Sequence, residues 1–395
     1  MAARIGSSQL MLRASRNLVQ YATYRSMSTM RPSEEISKSA AVVRNNWTRT
    51  EIQQIYDMPL MELVFTAATV HRQHHDPRQV QQCTLLSIKT GGCSEDCSYC
   101  PQSSKYDTSV KASKLMGVDE VLEVAERARD AGSTRFCMGS AWREVRGKWQ
   151  FEQILKMVSG VRAMNMEVCC TLGMLSKEQA KQLKDAGLTA YNHNLDTSPE
   201  YYPSIITTRK YEDRLQTLEN VRDAGLSVCC GGIIGLGESV ADRVGLLHVL
   251  SNLPKHPESV PVNALVAVEG TPLAEQKRVP IWDMLRMIST ARIIMPKSMV
   301  RLSAGRVMLS VPEQALCFLA GANSIFTGEK LLTTPNNDAS EDKTMFDMLG
   351  LEGLPPKFVH DNEVELSKPQ QQQTPTQTPV GTFSELEGMK QVANL

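Results

Sequence analysis

Eight short apolar runs alternate with amphipathic stretches, and this predicts an α/β fold: a (β/α)8 TIM-type barrel with disordered N- and C-terminal tails. The alternation holds through the middle of the chain, over about 270 residues, the usual span of such a barrel. Repeated strand–helix order implies parallel strands joined by right-handed crossovers. Both ends of the chain lack the pattern. An open doubly wound sheet is the alternative arrangement of the same units.

The first apolar run is QCTLLSIK at 82–89, and a cysteine-rich loop follows it. DEVLEVAERARDAG then repeats at helical spacing, starts acidic and closes on Gly132. TRFCMG reads as a strand and FEQILKMVSGVRAM as a helix; EVCCTLG is the third strand. SKEQAKQLKDAG is a helix opened by Ser176 with Gln179 three residues on, a capping-box pattern, and closed by Gly187. LTAYNHNL, LSVCCGGIIGLG, VPVNALVAV, MVRLSAG and NSIFTG supply the remaining strands. YEDRLQTLENVRDAG, SVADRVGLLHVLSNL, IWDMLRMISTARIIM and VPEQALCFLAG are the helices between them.

Composition bounds the function. Lys+Arg and Asp+Glu are both 43 in 395 residues, so charge gives no reason to expect nucleic acid or an anionic membrane as partner. No apolar window approaches the length, about eighteen residues, of a membrane-spanning helix. Ten cysteines in a chain this long suggest free, buried or metal-bound thiols, not a secreted disulfide scaffold.

Residues 1–35 open with Arg4, Arg13, Arg16 and Arg25 among serines, and the first acid is Glu34. That composition marks a mitochondrial transit peptide, with a solvated basic tail as the plainer reading. Residues 363–395 carry LSKPQQQQTPTQTPVGT, too poor in apolar side chains to offset the entropy of ordering. The barrel domain is therefore expected over 36–362.

The loop GGCSEDCSYCPQSS sets Cys93, Cys97 and Cys100 within eight residues. A barrel places its active site at the C-terminal ends of the strands, where this loop falls. Zinc ribbons add a second cysteine pair to complete four ligands, and none follows at ribbon spacing. An iron–sulfur cube takes four cysteines, so three would leave one iron with an open position. Cys137, Cys169 and Cys229 lie within predicted strands two, three and five. Buried packing is the ordinary role of such residues, and a second metal site is the other reading. Cys169–Cys170 and Cys229–Cys230 are adjacent pairs, so one member of each faces the barrel interior. Arg301, between apolar residues of strand seven, needs a partner. Asn192, Asn194 and Asp196 stand at period two in YNHNLDTS. Gly235 and Gly237 lie in GGIIGLGE, where backbone can approach a ligand closely. A nicotinamide site is not expected, because no glycine-rich turn follows the first strand.

The spacing of Cys93, Cys97 and Cys100, with Tyr99 just before the last, resembles the signature of radical S-adenosylmethionine enzymes. From about Gln82 to Pro335 the chain resembles one family among them, the biotin synthases. LLSIKTGGCSEDCSYCPQSS, GSTRFCMGSAW, CCTLG, YNHNLDTSPEYY, GGIIGLGES, ESVPVNALVAVEGTPL, VRLSAGR, AGANSIF and KLLTTPN carry the resemblance, in order.

This resemblance implies sulfur insertion between C6 and C9 of dethiobiotin, begun by a 5′-deoxyadenosyl radical. It implies a [4Fe–4S] cluster on Cys93, Cys97 and Cys100, with S-adenosylmethionine on the open iron. It implies a [2Fe–2S] cluster, the sulfur donor, on Cys137, Cys169, Cys229 and Arg301; the first cysteine of each pair is chosen because the residues after it match. Tyr99, Asn194, Asp196, Gly235 and Gly237 are then cofactor contacts, and Asn192 and Asn263 substrate contacts. The resemblance further implies a homodimer, a reducing electron-transfer protein, the iron–sulfur assembly machinery and the mitochondrial matrix. Other radical enzymes on the same barrel, or a zinc-binding scaffold without catalysis, are the competing readings.

Overall fold

A computed structural model describes residues 43–356 of the chain. The expected transit segment and C-terminal tail lie outside the described residues. Two helices precede the barrel, α1 (Arg49–Tyr56) and α2 (Leu60–His74), neither expected from the sequence. α1 opens on a capping box: Glu51 N–H donates to Thr48 Oγ1 and Thr48 N–H to the Glu51 carboxylate. α2 buries Leu63, Val64, Ala67 and Val70 at helical spacing. Leu63, Val64 and Val70 each contribute about 1.5–3 kcal/mol on burial.

The staves are β1 (Gln79–Lys89), β2 (Arg135–Ser140), β3 (Glu167–Thr171), β4 (Ala190–Asn192), β5 (Ser227–Cys229), β6 (Gly232–Ile234), β7 (Ser259–Ala264), β8 (Met299–Leu302) and β9 (Ser324–Thr327). All pair in parallel, and β9 returns to β1 through Gln81↔Ser324 and Cys83↔Phe326. This pairing closes the barrel and excludes the open sheet. α3 (Val118–Asp130), α4 (Lys148–Ala163), α5 (Lys177–Asp185), α6 (Tyr211–Asp223), α7 (Val240–Ser251), α8 (Ile281–Ile294) and α9 (Val311–Leu319) form the connections. The expected Ser176–Gln179 capping box is present at α5.

The fifth stave differs from its expectation. LSVCCGGIIGLG breaks into β5 and β6, both paired to β7. A side chain at Gly231, in the break, would put its Cβ 2.0 Å from the Pro261 carbonyl oxygen. Only glycine allows the two backbones to approach that closely.

Two apolar layers lie between the barrel and its helices; Met138, Val168, Cys170 and Tyr191 join one, Cys230 and Val260 the other. Inside the barrel a third cluster holds Cys83, Cys137, Cys169, Ala190, Cys229, Phe326 and Leu331. Past β9 come a hairpin, β10 (Lys330–Leu331) with β11 (Thr334–Pro335), and a helix, α10 (Ala339–Leu349). β12 (Glu352–Gly353) then pairs with the start of β1. Asp342 of α10 is tied to buried Arg306 at 2.6 Å. No helix among the described residues is long and apolar enough to cross a membrane.

Candidate active site and a ring of thiols

β1 ends at Lys89, and Gly91 and Gly92, both at φ 65°, turn the chain into the cysteine loop. Backbone bonds then fold the loop on itself: Cys93 N–H donates to Gln102 O (2.9 Å), Ser104 N–H to Cys93 O (2.7 Å) and Cys100 N–H to Cys97 O (2.9 Å). Glu95 is buried beneath, paired with Arg143 at 2.9 Å and Arg209 at 3.3 Å. Asp96 accepts N–H bonds from Thr207 (2.9 Å) and Thr208 (3.1 Å). Burial pushes the Asp96 carboxyl up, but the threonine bonds outweigh it and hold the group at about 2. The loop is thereby pinned to the segment that follows β4.

Burial raises all three loop thiols, Cys100 to about 11. A thiol in such a dry site becomes a ligand when a bound metal displaces its proton. Tyr99 donates its hydroxyl to Asp196 at 2.8 Å, and Arg214 pairs with the same carboxylate oxygen at 2.6 Å.

Asn192, Asn194 and Asp196 line one cavity of about 330 Å3, as their period suggests, but not as one strand. β4 ends at Asn192. Beyond it Leu195 and Asp196 both donate N–H to Gly231 O, and Asp196 takes φ 67°. The chain leaves the ladder for the break in the fifth stave, so the period persists without the strand. Asn192 Nδ2 donates to Asn194 Oδ1 at 3.1 Å and to Cys229 Sγ at 3.3 Å. Asn263 on β7 donates to Gly232 O at 2.9 Å and accepts from Ala304 N–H at 3.1 Å.

At the other end of the cavity are inward side chains of β1, β2, β3, β5 and β8. The Cys83, Cys137, Cys169 and Cys229 thiols cluster there, Cys137 directly opposite Cys169 in the ladder. Arg301 closes the ring: Nη2 reaches Cys83 Sγ at 3.3 Å and Nη1 reaches Cys229 Sγ at 3.7 Å. Its other donors meet Ser324 Oγ (2.9 Å) and Gln81 Oε1 (3.1 Å). A carboxylate, the usual partner of a buried arginine, is not among these contacts. The bond from the Cys169 thiol, then the Arg301 charge, brings Cys229 down to about 7 despite its burial. Below the ring, Arg135 pairs with buried Glu167 at 2.6 Å and with Glu258 at 2.9 Å, and Gln81 donates to Glu167 at 3.1 Å.

Of the residues expected from the sequence, the cavity wall includes Cys93, Tyr99 and Cys100 at the mouth and Cys137, Cys169 and Arg301 at the floor. Asn263 lies on the same wall. Cys97 and Cys229 sit just behind it, Cys229 in contact with Asn192 and Arg301. Cys170 and Cys230 point outward into the helix-side cores. Gly235 and Gly237 are not on the wall. Gly235 N–H is taken by the Glu238 carboxylate at 2.9 Å. A Cβ at Gly235 would meet Val279 at 2.5 Å and one at Gly237 would meet Tyr201 at 2.8 Å, so the packing of the turn requires glycine at both.

Sequence reasoning missed Cys83. Its period-two relation to Leu85 and Ser87 put it on one face of β1, but a single cysteine in an apolar strand gave no reason to choose that face. Arg214 was also missed, because its partner Asp196 is distant in sequence.

The donor set fits clusters better than a lone ion. Among the described residues no three His, Cys, Asp or Glu side chains converge on one ion position. Tetrahedral zinc needs such convergence, whereas a [4Fe–4S] cube takes one thiolate per iron and a [2Fe–2S] cluster two donors per iron.

Comparison with known proteins agrees with this geometry. Residues 87–250 match the Radical SAM superfamily, and residues 261–352 match the Biotin and Thiamin Synthesis associated domain. The chain is 68% identical to "Biotin synthase, mitochondrial" of Arabidopsis thaliana over 81% of this chain and 85% of that protein. It is 66% identical to "Biotin synthase" of Cytophaga hutchinsonii over 78% of this chain and 92% of the relative. For "Biotin synthase, mitochondrial" of Emericella nidulans the identity is 57%, over 86% of each chain. In fold it is similar to methylornithine synthase (TM-score 0.68, 16% identity, covering 82% of this chain and 97% of that one). The [FeFe]-hydrogenase maturase HydG of Carboxydothermus hydrogenoformans is similar too (TM-score 0.67, 15% identity, covering 89% and 85%).

Proposed function

The chain belongs to the biotin synthase family of radical S-adenosylmethionine enzymes, and from that premise we propose that it converts dethiobiotin to biotin within this one cavity. One observation carries the reading: a three-cysteine loop and a thiol–arginine ring face each other across one cavity.

Cys93, Cys97 and Cys100 would hold a [4Fe–4S] cluster, and Cys137, Cys169, Cys229 and Arg301 a [2Fe–2S] cluster. When bound, the first supplies reductive cleavage of S-adenosylmethionine, and the second supplies sulfur. The protein places and shields the reactants. Asp196, held by Tyr99 and Arg214, presents a fixed carboxylate at the mouth, suited to the ribose hydroxyls of the cofactor, with Asn194 beside it. Asn192 and Asn263 offer amide groups between mouth and floor, suited to the ureido ring of dethiobiotin. The buried walls keep water from a carbon radical.

The acid-free N-terminus and the two relatives named mitochondrial support import into the mitochondrion, in this reading the matrix. Turnover then requires an electron-donor protein and iron–sulfur assembly factors; a homodimer is the proposed assembly.

The test is anaerobic. Protein reconstituted with iron and sulfide is given reductant, S-adenosylmethionine and dethiobiotin, and products are read by mass spectrometry. Biotin together with 5′-deoxyadenosine is expected. Deoxyadenosine without biotin would retain the radical chemistry and reject the substrate.

A further inference from the structure

The barrel floor holds one thiol more than the proposed second cluster requires. Cys83 enters from β1 and is fully buried. It shares its buried cluster with Cys137, Cys169 and Cys229, and it stands 3.3 Å from Arg301 Nη2. Its remaining neighbours, Gln81 Oε1 at 3.6 Å and Ser324 Oγ at 3.9 Å, are long contacts to groups that Arg301 already engages. Cys83 has apolar company in Ala190, Phe326 and Leu331, but unlike Cys170 and Cys230 in the helix-side cores it also shares its cluster with three thiols and stands against a guanidinium. It occupies the position in the ring next to the one nitrogen donor.

We propose that Cys83 is a reserve protein ligand of the second cluster, able to take the coordination position of Arg301. The inference rests on the reading that the floor holds an iron–sulfur cluster. Four thiols and one guanidine then surround two irons that need four protein donors. In the exchange the iron–nitrogen bond to Arg301 breaks and an iron–sulfur bond to Cys83 forms. The thiol proton passes to the released guanidine nitrogen, which becomes guanidinium. No electron changes hands and the net charge of the floor is unchanged. Thiolate is the softer donor, and iron–sulfur sites favour it. A ring of four thiolates would also keep iron on the protein when sulfur leaves the site.

The test uses the full chain carrying Cys93→Ala, Cys97→Ala and Cys100→Ala, so that only the floor can load. In this background Arg301→Met, Cys83→Ala and the pair together are reconstituted with iron and sulfide. Bound iron, visible absorption and the electron paramagnetic resonance of the reduced protein are recorded. Arg301→Met is expected to keep its iron with a changed, all-cysteine signal, its Cys83 proton lost to buffer. Adding Cys83→Ala should lower bound iron by about tenfold or more. Loss of iron in Arg301→Met itself, or equal iron and superimposable spectra with and without Cys83, overturns the proposal. If the floor with Cys83 and Arg301 intact takes no iron, the second-cluster reading fails, and this proposal with it. Melting curves check that each variant folds; where alanine does not, Cys83→Ser keeps the size and hydrogen bonds and carries the same comparison.

Discussion

At the mouth of the barrel, three cysteines arrive on one loop between Gly91 and Ser104, pinned by Glu95 and Asp96. At the floor, Cys83, Cys137, Cys169 and Cys229 arrive singly from separate strands, with Arg301 from another. The mouth thiols depend on a loop conformation that local hydrogen bonds maintain. The floor thiols depend on register: Cys137 lies opposite Cys169, and Asn192 opposite Cys229. A one-residue slip of any stave would turn its cysteine to the helices. The same element, thiol sulfur, is thus placed by two kinds of order, one within a loop and one spread over the whole sheet.

Four substitutions sharpen this contrast. Cys97→Ala removes a mouth thiol, and 5′-deoxyadenosine formation should fall to background in the anaerobic assay, with biotin absent. Cys229→Ala removes a floor thiol. Biotin should disappear while deoxyadenosine survives within about tenfold of the unaltered protein; normal biotin yield from this variant would remove the floor from the mechanism. Cys170→Ala and Cys230→Ala, next in sequence to floor thiols but facing the helices, should leave floor iron unchanged. Each should cost roughly 1 kcal/mol of stability, read as a small shift in melting temperature. Loss of floor iron from either variant would mean that the two faces of the strand are not independent.

The barrel was legible because its strand–helix alternation repeats with caps and glycines at the expected ends. The mouth was legible because its three cysteines are close in sequence, and the inward choice of Cys169 and Cys229 required the resemblance. Cys83 was not legible: only closure of β9 onto β1 brings it beside Arg301, and that pairing joins residues far apart in the chain. α1 and α2 carry signals of their own, the Thr48–Glu51 capping box and the spacing of Leu63, Val64, Ala67 and Val70, but they lie before the first strand–helix unit and outside its alternation. Gly235 and Gly237 lie off the cavity wall, and the approach of Val279 and Tyr201 is by itself a reason for glycine at both.

Beneath the thiols, Arg135, Glu167 and Gln81 are each only 3% exposed and bound to one another. Among the described residues that layer makes the barrel a corridor with one door. Whatever reaches the thiols must enter past the cysteine loop and leave the same way. Delivery of fresh iron or sulfur and departure of a finished product would therefore have to take turns at a shared entrance, and refilling the floor would wait for the corridor to empty.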